Sequence, residues 1–168
     1  DIVTLPEGDP GKALEKLKAM IGLGALKQSI VQHLSYVYFI RERQKHGFDD
    51  TLPPLNMIFS GNPGTGKMTV AKMMGEIYHS VGILLRPNVT VQDGRQLTGD
   101  GGLTPQQGAE VLMNGAAGGI LYIDHADVLP RSEWGLALFE ALLSNLSTGR
   151  IIPVAIKNGV YFPLSALV

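Results

Sequence analysis

The feature that most constrains this chain is a short loop, Gly61-Asn62-Pro63-Gly64-Thr65-Gly66-Lys67, set between two contrasting patterns. Before it, Asn56-Met57-Ile58-Phe59-Ser60 is an apolar run of the kind that forms a buried strand. After it, Val70, Met73, Met74, Ile77 and Val81 recur at helical spacing and stop at Gly82. Glycines let successive backbone N–H groups turn inward around an anion. The start of the following helix adds a favourable dipole for negative charge. Lys67 places a mobile ammonium where outer phosphate oxygens would lie. Strand, glycine loop and helix in this order predict a phosphate-binding P-loop.

The rest of the chain repeats the alternation. Asp9-Pro10 reads as a helix start, with Leu14, Leu17 and Met20 along a short helix broken at Ile21-Gly22-Leu23-Gly24. A longer helix carries Leu26, Ile30, Leu34, Val37 and Arg41 and ends near Gly47. Strands are predicted at Asn88 to Val91, Gly119 to Ile123, Pro153 to Ile156 and Val160 to Phe162. Thr104-Pro105-Gln106-Gln107 predicts a capped helix. Ser132 begins another, with Leu136, Phe139, Leu143 and Leu146 on one face. Alternating strands and helices imply βαβ units and a parallel sheet. A chain of 168 residues suits one domain. We read residues 1–50 as a helical lead and 51–168 as the P-loop core.

Two positions depart from what this chemistry asks for. The residue after the loop lysine ordinarily offers a hydroxyl to Mg²⁺, and here it is Met68. A thioether is a poor ligand for an ion that takes hard oxygens. Thr69 is next, but one helical residue turns a side chain by about 100°, so it is expected to face elsewhere. The run Ile120-Leu121-Tyr122-Ile123-Asp124-His125 is a strand ending in an acid, like a Walker B segment. Asp124 is the expected metal-side carboxylate. A Glu that polarises water usually follows; here it is His125, a base in principle but read as a non-catalytic replacement. Asp127 is expected to cap a turn.

Composition excludes several classes. Charged residues are 17%, against roughly 25% in an average soluble domain. Residues 1–50 carry seven basic and seven acidic groups, and 51–168 seven and eight, so the charge thins out in the nucleotide-sized core. A net charge of −1 gives no global basic field for nucleic acid. The chain has no cysteine, which excludes disulfides, thiolate zinc sites and cysteine nucleophiles. No run is long and apolar enough to predict a membrane span, and no leader is visible, so a cytoplasmic location is expected. His33 and His46 are read as solvated and His79 as a satisfied histidine. Trp134 is read as a core residue at a helix start.

Together, Ile21-Gly22-Leu23, the Gly61–Lys67 loop, Val70-Ala71-Lys72, Gly75-Glu76-Ile77-Tyr78 and Gly82-Ile83-Leu84 resemble AAA+ ATPases of the CbxX/CfxQ type. That family includes red-lineage rubisco activases and the stage V sporulation protein K group. The resemblance covers about residues 20 to 157, and 57–84 is its specific part. It implies an AAA+ large subdomain: α/β, with a five-stranded parallel sheet flanked by helices. It implies ATP/ADP as ligand, ring assembly with other AAA+ subunits, and a protein client. By resemblance, Ile21, Gly22 and Leu23 line the adenine pocket. Asn62, Pro63, Gly64, Thr65, Gly66, Lys67, Met68 and Thr69 surround the phosphates, and Asp124 lies near the metal. Asn158 stands where the family orients water, though it also suits a turn before Gly159.

Further positions depart from the family pattern. The stretch Leu97-Thr98-Gly99-Asp100-Gly101-Gly102-Leu103 lacks the family's pore-loop aromatic. Leu143-Ser144-Asn145-Leu146 lacks the arginine that reaches a neighbouring site, and only Arg150 is near. The chain stops near the fifth strand, so the helical lid is expected to be absent, as in a truncated or degenerate domain. The expectation is an ATP-binding module of impaired hydrolysis with a structural or regulatory role, and with Mg²⁺ binding weakened by Met68. Two alternatives stay open: an active remodelling ATPase without its lid, and an interaction scaffold that binds no nucleotide.

Overall fold

The computed structural model describes residues 10–19, 22, 24–52, 55–146 and 152–157. The first two helices, α1 (Pro10–Ala19) and α2 (Gly24–Lys45), precede the sheet. Then follow β1 (Met57–Ser60), α3 (Lys67–Ser80), β2 (Val89–Asp93), α4 (Pro105–Ala116), β3 (Ile120–Asp124), α5 (Glu133–Leu146) and β4 (Ile152–Lys157). Two 3₁₀ turns, Gly94–Gln96 and Ala126–Arg131, follow β2 and β3. Pro105 starts α4 as expected: the Thr104 hydroxyl accepts from the Gln107 N–H while the Gln107 side chain accepts from the Thr104 N–H.

Four described strands form one sheet in the order β1-β4-β3-β2. All pairings are parallel, with Met57 level with Val154, Ile120 with Ile152, and Val89 with Ile120. The fifth strand expected at Val160 to Phe162 lies outside the described residues, as do Ile21, Leu23 and Asn158. The strand after β1 in sequence therefore joins at the far edge, and β4 returns to fill the gap. That order is what brings the ends of β1 and β3 to either side of β4.

β3 shows why the sheet is stable. Its residues alternate between two cores, as a period of two requires. Ile120 and Tyr122 join Leu17, Ile30, Leu34, Phe59, Val70, Met74 and Tyr78 under α1, α2 and α3. Leu121 and Ile123 join Ala109, Leu112, Leu129, Leu138 and Leu142 under α4 and α5. No helix among the described residues is long and apolar enough to cross a membrane.

Two expectations are corrected. On α5 Gly135, Leu138, Ala141 and Leu142 are buried and Phe139 packs against the same core, while Leu136 is 43% exposed. The helix is apolar almost all round, so spacing alone could not choose its inner face. His33 is not solvated. Its Nε2 is buried without a partner, and its ring meets Tyr78 edge-on at 6.2 Å between centroids. Burial lowers its pKa and pushes the Tyr78 phenol up. The residue lies beside the buried stripe Ile30, Leu34, Val37 and Ile40 of α2. His79 is satisfied as expected, its Nδ1 lying 3.1 Å from the Leu84 carbonyl oxygen.

Candidate functional site

The site is assembled on the carboxyl edge of the sheet, where α/β folds place ligands. β1 ends at Ser60 and the chain passes through Gly61–Gly66 into α3. Gly64 and Gly66 take φ of 77° and 86°, in the left-handed region that a side chain resists. Gly66 is the N-cap of α3 and offers no side chain to it. The first amides of the helix thus have no side-chain partner, and they are strong donors for an incoming anion.

Lys67 already leans over this loop. Its Nζ donates to the Gly61 and Asn62 carbonyl oxygens, each at 2.7 Å. The Thr65 hydroxyl donates to the Asn62 carbonyl at 2.8 Å. Asn62 therefore accepts from both, and the loop is held in a closed curve around the ammonium. An ammonium has three donors, so it can meet an anion while keeping the loop shaped. Met68, the next residue, is half-buried and packs against the α1–α3 core. Thr69 is exposed.

Asp124 closes β3. Its Oδ1 accepts from the backbone N–H of His125 at 3.0 Å, and its Oδ2 lies 3.8 Å from His125 Nε2. His125 takes φ 50°, the only positive φ of a non-glycine among the described residues. Such a conformation costs about 1–2 kcal/mol for a residue with a Cβ. It turns the chain sharply into the second 3₁₀ turn, where Asp127 pairs with Arg131 at 2.9 Å. Because Ile123 is level with Ala155, and Phe59 with Ile156, Asp124 stands beside the loop after β1 with β4 between them.

A neighbouring pair escaped the sequence reading. Asp93 is level with Asp124 in the register. Its carboxylate accepts from the Arg95 backbone N–H at 3.0 Å, from Nε and from Nη2 at 2.6 Å. The Arg95 side chain bound to it, and then the Arg95 backbone N–H, bring the Asp93 pKa down to about 2. Asp93 in turn raises the Arg95 pKa, with Asp124 adding to it. The signal was the acid-glycine-base string after a strand, but β2 was expected to end at Val91 and so two residues short of it.

The residues fit a phosphate group better than they fit a metal. Uncapped amides and an ammonium are anion donors. Mg²⁺ wants hard oxygens, and of the hydroxyl and the carboxylate expected to supply them, only Asp124 is present. Among the described residues no cluster of three or more His, Cys, Asp or Glu side chains is placed to hold an ion. Of the segment expected at the adenine, Gly22 is described; it is exposed with φ 78°.

No protein-family model matches the chain. Known proteins do. CfxQ of Xanthobacter flavus is 35% identical over 147 residues, covering 84% of this chain and 46% of that protein. CbbX of Cereibacter sphaeroides is 36% identical over 160 residues, covering 91% and 52%. This chain spans about half the length of the curated relatives it matches. Among solved structures, the AAA domain of FIGL-1 in complex with ADP matches with a TM-score of 0.50 at 17% identity, over 94% of this chain and 57% of that one. At that identity the likeness concerns the fold, which is that of an AAA domain.

Proposed function

Because this chain belongs to the CbxX/CfxQ family of AAA+ proteins, we propose that it binds ATP or ADP through the Gly61–Lys67 loop and hydrolyses ATP slowly or not at all. In this reading the α3 amides and Lys67 hold the phosphates, and Gly22, with Ile21 and Leu23, borders the adenine. Asp124 faces the metal side and Asn158 borders the water. Residues 1–50 lead into a core of 51–168, and the module works as a silent or regulatory part of a ring of AAA+ subunits.

The observation that carries the reading is Met68. Its side chain packs against the α1–α3 core and offers a thioether where a metal-binding hydroxyl is needed. His125 adds to it, since a neutral imidazole lacks the permanent negative charge of a Glu placed to polarise water. Phosphoryl transfer depends on metal, water and cation positioning together, and each missing part raises the barrier. Measuring phosphate release from Mg²⁺-ATP tests this directly. Release at background is expected, and steady turnover at the rate of a working AAA+ enzyme would overturn it.

The second reading, an active remodelling ATPase, is favoured by Asp124 standing on the same edge as the loop. It expects Met68→Thr with His125→Glu to raise turnover only modestly, from a rate that is already substantial.

A further inference from the structure

The loop that leaves β2 is fastened at two places to the segment that leaves β3. At its root, Gly94 is buried. A Cβ there would stand 2.6 Å from the His125 carbonyl oxygen and 3.1 Å from that of Asp124. Farther along, Gly99 takes φ 80° and lies on the indole of Trp134, so close that a Cβ would meet three ring atoms at 2.7 Å. The Trp134 Nε1–H donates to the Leu103 carbonyl at 3.0 Å. Another edge of the ring abuts Gly108 of α4, where a Cβ would lie 3.2 Å from Cη2.

Between these contacts the chain folds on itself. The Thr98 hydroxyl donates to Asp100 Oδ2 at 2.6 Å, and the Gly102 N–H to the Gly99 carbonyl at 3.3 Å. Leu97 packs on the α4–α5 core at one end, and Thr104 caps α4 at the other. The span between them is mostly glycine and polar residues, which bury little apolar area of their own. Beyond Leu97, its closed position is held by the Trp134 ring and the hydrogen bond from Trp134 Nε1–H to Leu103.

We infer that residues 97–103 form a strap latched shut by Trp134, and that the latch is coupled to the Asp124–His125 turn through Gly94. The coupling is backbone against backbone. No side chain at Gly94 can rearrange to absorb a shift of the His125 carbonyl, so the root of the strap moves with the turn. The same segment that begins at His125 delivers Trp134, so both fastenings belong to one short stretch of chain. Opening the turn thus loosens the strap at its root and its tip together.

Trp134 is the only tryptophan in the chain, so its fluorescence reads the latch without labels. In the whole chain, Gly99→Ala forces the ring and the strap apart. The expected result is red-shifted emission, faster acrylamide quenching and faster amide exchange across 97–103, with exchange in β3 unchanged. Gly101→Ala is the control, because nothing lies within 4 Å of that position, and it leaves all three signals in place. Should Gly99→Ala not fold, Trp134→Phe keeps a ring and removes the bond to Leu103, and amide exchange across the strap is expected to rise. Coupling is read from Gly94→Ala and from His125→Gly, either of which is expected to shift Trp134 emission. Unchanged exchange in Trp134→Phe, unchanged emission and quenching in a folded Gly99→Ala, or unmoved emission in both coupling variants overturns the inference.

Discussion

The glycine loop after β1 and the turn after β3 stand on one sheet edge, yet they are furnished differently. The loop keeps everything an anion needs: uncapped amides at the start of α3 and an ammonium held over them by two carbonyls. The turn directs its carboxylate back onto its own chain, and its next residue is a histidine in a left-handed conformation. The contrast teaches that phosphate recognition and phosphate chemistry are separable. Recognition rests on backbone groups that any sequence with the right glycines supplies. Chemistry rests on particular side chains, and in the proposed reading Met68 and His125 are the ones that do not supply it.

The largest effect should come from the loop. Lys67→Ala removes charge-assisted contacts of about 1.5–3 kcal/mol, so the Kd for ATP is expected to rise roughly 10- to 150-fold. Asp124→Asn under the same calorimetric conditions is expected to change it little. Equal losses in the two variants would erase the contrast. Next comes Met68→Thr, which restores a hydroxyl at the start of α3. It is expected to make ATP affinity depend on Mg²⁺ where the parent does not, within about 1–2 kcal/mol for one oxygen ligand. An unaltered response to Mg²⁺ would mean that Met68 is not what weakens the metal site.

Two smaller effects concern the turn. His125→Gly relieves a left-handed residue and is expected to raise stability by about 1 kcal/mol or less, read as a higher denaturant midpoint. A lower midpoint would show that the imidazole is needed for packing. Asp93→Asn removes the charge that pairs with Arg95, so its effect depends on pH. The Asp93 pKa is about 2 in the fold against an ordinary value of 3.8, so the folded form binds its proton less readily. Its stabilising contribution is complete above pH 3.8 and is lost as pH falls through about 2. Asp93→Asn should therefore lower stability modestly at neutral pH, where the carboxylate is ionised, and converge with the parent below about pH 2, which flattens the acid limb. A large loss at neutral pH would give the pair a bigger role than an exposed ion pair ordinarily has.

Much of this was legible in the sequence because it is local. The loop, the start of α3, the capping box at Thr104 and the run ending at Asp124 each announce themselves within a few residues. What was not legible depends on which face meets which. α5 offered two plausible apolar faces, and packing chose Leu138 over Leu136. His33 carried a polar label, but its Nε2 is buried beside the core stripe of α2. The Asp93–Arg95 pair became visible only when β2 was found to run as far as Asp93, level with Asp124. Trp134 was read correctly as a packed residue, but the two glycines that receive its ring are far from it in sequence.

The most direct test of the separation between recognition and chemistry is calorimetry of the unaltered chain with ATP, once in Mg²⁺ and once in EDTA. The account predicts measurable binding in both, with nearly the same Kd. Binding that appears only with Mg²⁺, or no binding in either, would contradict it.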